Sequence, residues 1–396
     1  MNRFPPESSG ACPGSMVTGI KSSRMIFPDG VRPGTVYLQK GQIVDAGDKE
    51  HPCDQLLDFG DQYVAPGFID MHTHGGVGIA FSACNPEDFV AACRFHMQHG
   101  TTTLLPTLSA GPLEEMAQAV AVAAQVMDEG MCPVSIPGVH MEGPYLSVAQ
   151  CGAQRPGVIT PPKAEEYIPL VEKYGDYITR WTFAPENDED QAFCKYIVAH
   201  NILPSAGHTN ATYEELLPAY EAGCKLITHL YSCNSTITRQ QGFRHLGIIE
   251  SAYLLDEMDA ELIADGKHLP PELLRLIFKC KDHAHLALIT DSLPPAGLEQ
   301  KEGIMDGTPY IVEDGVAKLP DRSAFAGSVA TTDMLLRTAV ECGCTVHDAV
   351  QMLTATPARI LGLNKGRLET GFDGDITVFD DTLTVHAVFT NGIRRV

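Results

Sequence analysis

Pro66-Gly67-Phe68-Ile69-Asp70-Met71-His72-Thr73-His74-Gly75-Gly76 is the stretch on which the reading of this chain turns. The apolar run Phe68 to Met71 reads as a buried strand that ends in two histidines separated by one residue. Side chains two apart in an extended segment share a face, so His72 and His74 project toward one point just past the strand. The glycines behind them leave room for something to approach the backbone. Two imidazoles converging at the carboxyl end of a strand suit a metal ion. Taken alone, the pair reads equally well as two loop histidines, so the surrounding chain has to decide.

Downstream, strand and helix patterns alternate. Candidate strands are residues 68–71, 102–105, 134–140, 180–184, 202–206, 226–229, 260–264 and 285–290. Helical spacing recurs between them, as in Leu113, Met116, Ala117, Val120 and Ala124, and in Phe89, Ala92, Cys93 and His96. Eight strands with mostly helical crossovers predict a (β/α)8 TIM-type barrel over 66–365. A doubly wound open sheet is the alternative, but the Gly-rich first turn of a dinucleotide fold is missing. Residues 303–319 read as a β-hairpin inserted after the eighth strand, and helices resume from about 328 to 361.

Both ends of the chain read differently from its middle. Residues 1–15, with Pro5, Pro6, Ser8, Ser9, Gly10, Pro13 and Gly14, have the composition of a disordered leader, and Met16 is a candidate alternative start. Residues 16–65 and 366–396 are β-rich without helical periodicity, and neither piece carries enough core alone. One small β-sandwich built from both ends is the economical arrangement. A formal charge of −22 opposes nucleic acid or an anionic membrane as partner, though local Arg and Lys could still admit an anionic small molecule. The 12 cysteines form no CxxC and no regular framework, which fits free thiols in a cytoplasmic protein. No secretory signal or run of 18 apolar residues is present.

A barrel enzyme carries its chemistry at the carboxyl ends of its strands. Those ends hold His72 and His74, then Glu142, His208, His229, Asp265 with His268, and Asp291. Singly, Glu142 could serve a helix start, His208 a turn, and Asp291 an N-cap. Five or six polar groups gathering at one mouth for unrelated reasons is the poorer account.

At this point a resemblance emerges. His72-Thr-His74-Gly-Gly, Val139-His-Met-Glu142-Gly-Pro-Tyr, Cys151-Gly-Ala-Gln154, Ser205-Ala-Gly-His208-Thr-Asn, Thr228-His229-Leu-Tyr, Ala264-Asp-Gly-Lys-His268, Leu288-Ile-Thr-Asp291-Ser, Ala326-Gly-Ser328 and Gly371-Phe-Asp-Gly-Asp375 fall in the order found in N-acetylglucosamine-6-phosphate deacetylases. The chain resembles that branch of the metal-dependent amidohydrolases over nearly its whole length from Met16. The resemblance implies a principal divalent metal, zinc or iron, on Glu142, His208 and His229. It implies a possible second on His72 and His74 with Glu142 bridging, and Asp291 as general base and acid. Substrate contacts are expected at Ala153, Gln154, Ser232, Cys233, Arg244, Lys267, His268 and Gly327, with no chemical role for the thiols of Cys151 and Cys233. A homodimer is expected, with Arg244 reaching the partner's site.

The match is close in its hydrolytic half and departs where the family binds phosphate. Ser232-Cys233-Asn234 stands where the family has Asn-Ala-Met, and Arg244-His-Leu-Gly247 where it has Arg-Glu-Pro-Gly. Arg244, Arg239 and Lys267 could still form an anion site. The expected activity is deacetylation of N-acetylglucosamine 6-phosphate. The alternatives are N-acetylgalactosamine 6-phosphate, an unphosphorylated N-acetylhexosamine or an N-acyl amino acid, and, more distantly, a non-catalytic binding or assembly protein.

Overall fold

The computed structural model describes residues 16–396; the leader read at 1–15 lies outside them. Eight parallel strands form the central sheet in chain order. They are β1 (Phe68–Thr73), β2 (Thr101–Leu108), β3 (Val139–Glu142), β4 (Ile178–Phe183), β5 (Leu203–Ala206), β6 (Leu226–Ile227), β7 (Asp259–Ile263) and β8 (Leu286–Ile289). The last gap closes without a ladder. Asp291 N–H donates to His72 O at 2.9 Å, and Thr290 Oγ1 donates to Asp70 Oδ2 at 2.6 Å. The sheet is therefore the near-closed barrel that the alternation predicts.

Two strands differ from their expected extents. β3 begins at Val139 rather than near 134, because Pro137 and Gly138 interrupt the ladder and leave only a Ser135–Thr103 bridge upstream. β6 keeps two residues because the backbone turns at His229, where φ is +30°.

The crossover helices cover the barrel for local reasons. Asn85 caps Pro86–Gln98 by accepting Asp88 N–H at 2.8 Å, with Pro86 at the first helical position. Phe89, Ala92, Cys93 and His96 then recur on its buried face. Thr212 and Glu215 form a reciprocal capping box on Tyr213–Glu221. The main core lies between sheet and helices. A separate apolar cluster of Met71, Leu105, Leu226, Ile263, Ala287 and Ile289 comes from the barrel strands alone.

The two ends of the chain share one eight-stranded sheet. Ile376–Phe379 pairs antiparallel with Tyr63–Pro66, so residues far apart in sequence become neighbours. A register shift between Ser22 and Met25 lets Thr18–Phe27 pair first with Gln55–Asp58 and then with Tyr63–Val64. Ile20, Met25, Val36, Leu38, Val64, Val378 and Phe389 fill its core. The segment read as a hairpin after β8 is larger: Glu302–Met305, Thr308–Glu313, Val316–Lys318 and Phe325–Gly327 form a four-stranded antiparallel sheet. Among the described residues no helix is long and apolar enough to cross a membrane.

Candidate metal centre

His72, His74, Glu142, His208, His229 and Asp291 are all buried and converge at one end of the barrel. Ligand atoms of Glu142, His208 and His229 lie within 4.8 Å of one another, and so do those of His72, His74 and Glu142. Glu142 joins the two groups. Its Oε1 lies 2.9 Å from His229 Nε2, 3.2 Å from His208 Nε2 and 3.5 Å from His72 Nε2. Its Oε2 lies 3.3 Å from His74 Nε2. Asp291 Oδ1 completes the cluster, 3.2 Å from His74 Nε2 and 3.4 Å from His72 Nε2. His208, His229 and Asp291 all have left-handed backbones, with φ of +46°, +30° and +48°. Such conformations are costly for these residue types and gather at functional sites.

The outer nitrogens determine what the inner ones can do. His208 Nδ1 lies 2.9 Å from Gln150 O, and His229 Nδ1 lies 3.0 Å from Ser232 O. Carbonyls only accept, so both Nδ1 atoms carry protons and turn their Nε2 lone pairs inward, as metal-binding imidazoles require. His74 Nδ1 meets Ser109 Oγ at 3.2 Å, and His72 Nδ1 meets Glu261 Oε2 at 3.4 Å. Lone pairs and carboxylate oxygens facing one another in a buried space need a cation between them. The same charge pattern acts on protons. Burial disfavours a charged His74, but Asp291 and Glu142 outweigh it and raise its pKa to about 10. Burial likewise favours protonated Glu142 and Asp291, yet the surrounding histidines hold both below the usual carboxylate range. The donor set fits one or two divalent ions.

Beneath the cluster is a charged layer that local sequence reading missed. Arg180 and Glu261 are fully buried and paired, with Arg180 Nη2 donating to Glu261 Oε2 at 2.8 Å. Arg180 also donates to Ser205 Oγ at 2.9 Å and Thr228 Oγ1 at 2.8 Å. Glu261 accepts His229 N–H at 3.2 Å. Burial would raise the Glu261 pKa, but Arg180 and His72 hold it at about 2. One basic and one acidic residue, each inside a buried strand, were the available signal. His140 is also buried here. Its Nδ1 faces Thr107 Oγ1 at 3.1 Å and its Nε2 Thr182 Oγ1 at 2.7 Å, and burial pushes its pKa well down.

Above the cluster is a cavity of about 280 Å³. Of the residues read as substrate contacts, Ala153, Gln154, Ser232, Cys233, His268 and Gly327 line it. Gln154 is already engaged: Nε2 donates to Glu142 Oε2 at 2.8 Å, and Oε1 accepts Ala110 N–H at 3.1 Å. His268 Nδ1 is held by Asp265 Oδ2 at 2.8 Å. Arg244 and Lys267 are not brought to the cavity. Lys267 is exposed, and Arg244 stands opposite Arg239 on an exposed hairpin, Thr238–Gln240 and Phe243–His245. The room left by Gly75 is taken by the chain itself, since a Cβ there would stand 1.9 Å from Ile79 O. The inserted sheet supplies Met305, Asp306, Thr308, Tyr310 and Phe325, and Arg155 joins them; none of these was singled out from sequence.

Comparison with known proteins agrees with this geometry. A family model described as the amidohydrolase family matches residues 63–394. An N-acetylgalactosamine-6-phosphate deacetylase of Shewanella sp. (strain ANA-3) is 33% identical over 331 residues, covering 82% of this chain and 81% of that protein. An N-acetylglucosamine-6-phosphate deacetylase of Mus musculus is 29% identical over 400 residues, covering 97% of each. The crystal structure of N-acetyl-D-glucosamine-6-phosphate deacetylase from Mycobacterium smegmatis matches with a TM-score of 0.88 at 31% identity, covering 96% of this chain and 100% of that one. The chain belongs to the amidohydrolase family.

Proposed function

We propose that this protein hydrolyses the acetamide of N-acetylglucosamine 6-phosphate to glucosamine 6-phosphate and acetate, as a cytoplasmic enzyme of amino-sugar breakdown. The observation that carries the reading is the pair of ligand clusters meeting on Glu142, with Asp291 beside them, at the floor of a cavity. The likeness to relatives named for this chemistry supports the substrate class. Zinc or ferrous iron suits these donors equally, and the two clusters support up to two ions.

A bound divalent ion would supply Lewis-acid polarisation of water and of the acetamide carbonyl. The chain's own residues do the rest. Asp291, kept ionised by His72 and His74, takes the proton of the attacking water and passes it to the departing nitrogen. That transfer matters because an unprotonated amine leaves poorly. The contact of Asp291 N–H with His72 O fixes the base at the closing seam of the barrel. Gln154 orients Glu142 and borders the acyl end, while His268, steered by Asp265, offers Nε2 to a sugar hydroxyl. The inserted sheet contributes Met305, Thr308, Tyr310 and Phe325 to the cavity wall.

The assembly we propose is a homodimer, supported by exposed Phe243 and Ile237 on and beside the Arg244 hairpin. A second reading, N-acetylgalactosamine 6-phosphate as substrate, is favoured by the 33% identical relative named for it. Acetate release from the glucosamine and galactosamine forms, with and without phosphate, separates these readings. The proposal requires the phosphorylated glucosamine form to be turned over fastest; equal or faster turnover of an unphosphorylated sugar contradicts it.

A further inference from the structure

The loop that leaves β6 carries the ligand His229. His229, Tyr231 and Cys233 all have left-handed backbones, with φ of +30°, +77° and +52°. Each such conformation is costly for a residue other than glycine, so the surroundings have to hold the loop in place. The same path gathers the backbone carbonyls of Thr228, His229 and Ser232 around one point. Carbonyl oxygens only accept, so a group of them needs a shared donor.

Asn234 is that donor. Its Nδ2 donates to Thr228 O and His229 O at 3.2 Å each, and to Ser232 O. The residue is 7% exposed, and its Oδ1 has no hydrogen-bond partner among the described residues. Ser232 and Cys233 line the cavity but Asn234 does not, so its effect on the site passes through the loop.

The Ser232 carbonyl is the link to the metal ligands. It accepts from Asn234 on one side and from His229 Nδ1 at 3.0 Å on the other, which uses both of its lone pairs. The Asn234 backbone bridges to Thr209, the neighbour of His208. Around that bridge Thr209 N–H donates to Cys233 O at 3.2 Å and Ser235 N–H to Thr209 O at 3.1 Å. One residue thus joins the loops that carry two ligands of the same cluster. It belongs to the Ser232-Cys233-Asn234 stretch in which this chain departs from the pattern it otherwise resembles.

We propose that Asn234 is a positioning residue of the metal centre. It fixes the Ser232 carbonyl and, through it, the His229 ring, so that Nε2 faces the ion. This rests on the metal chemistry proposed above but not on the choice of sugar.

The test is zinc affinity, measured on the full chain by competition with a chromophoric chelator. A His74→Ala background leaves Glu142, His208 and His229 as the intact cluster. In it, Asn234→Ala should raise the zinc dissociation constant by about tenfold or more, the usual cost of losing a group that orients a ligand. Asn234→Ser keeps one donor and should fall between the two; it carries the test if Asn234→Ala does not fold. Ser235→Ala is the control for loop structure. It removes the contacts of Ser235 Oγ with Ala211 O and with Ile248 N–H, the latter at 3.0 Å, and spares the three carbonyls. It should leave zinc affinity within about threefold.

The proposal is overturned if Asn234→Ala binds zinc within about threefold of its parent, if Ser235→Ala weakens binding equally, or if neither Asn234 variant folds. In the otherwise wild-type chain at saturating zinc, Asn234→Ala should keep KM for N-acetylglucosamine 6-phosphate within about threefold. A defect confined to KM, with zinc affinity unchanged, would make Asn234 a substrate contact and contradict the proposal. Wild type that binds no zinc defeats both this proposal and the metal chemistry it rests on. Wild type that binds zinc but releases no acetate defeats only the reaction assignment, and the affinities still decide the role of Asn234.

Discussion

Glu142 Oε1 stands 2.9 Å from His229 Nε2, while the opposite ring nitrogen of His229 is held by the Ser232 carbonyl at 3.0 Å. Burial lowers the His229 pKa despite its contact with Glu142, which opposes a second proton on the ring. The carboxylate and the imidazole therefore face each other as two donors suited to one cation. Glu142→Gln keeps the size and removes the charge common to both clusters. It should drop the bound divalent metal, measured by elemental analysis after metal-replete purification, to well below one ion per chain. Full metal content in that variant would contradict a bridging role.

In the function proposed here Asp291 serves the proton path rather than primarily the metal. Asp291→Asn should retain metal and still bind substrate, while kcat falls by about 10²–10⁴-fold, the usual contribution of a positioned base. Activity within about tenfold of wild type would remove Asp291 from that path.

The Arg180–Glu261 pair lies beneath the site with both side chains fully buried. Removing one partner of a buried pair leaves an uncompensated charge and costs about 3–5 kcal/mol. Glu261→Gln should therefore lower the stability measured by urea denaturation by that order. Replacing both together, as Arg180→Met with Glu261→Leu, should cost less than the single change. A single variant as stable as wild type would mean that the pair is not a buried charge pair in solution.

Asp333 links the helix Thr332–Glu341 to the end of Pro86–Gln98 through His99 Nδ1 at 3.1 Å, and it also pairs with Arg337 at 2.9 Å. Burial favours its protonated form, but hydrogen bonds from His99 and Thr331 outweigh that and lower its pKa to about 2. Its folded pKa is thus below the unfolded one. The stabilisation, about 2 kcal/mol, is present above pH 4 and lost as pH falls toward 2. Asp333→Asn should flatten the unfolding free energy in that window, measured by denaturant titration at each pH. An unchanged acid limb would show that other carboxylates set it.

Much of this candidate site was legible because its buried polar residues sit where strands end. His72 and His74 follow from alternation along β1, and Glu142, His208, His229 and Asp291 from the same rule applied to other strands. What escaped depends on contacts that local pattern does not carry. Arg180 and Glu261 lie 81 residues apart, and nothing in either strand names its partner. Arg155 sits in a loop, and only the fold brings the Asp306 turn over it. Arg244 aligns by motif, but its exposed hairpin does not line the cavity of its own chain. Pro137 shortened β3 although the apolar run before it reads as strand.

The most direct test of the account is acetate release from N-acetylglucosamine 6-phosphate before chelation, after it, and after addition of zinc or ferrous ion. The account predicts one acetate per glucosamine 6-phosphate formed, loss of turnover when the metal is removed, and recovery when it is restored. Undiminished turnover by fully metal-free protein, or no acetate from this substrate with metal bound, would contradict it.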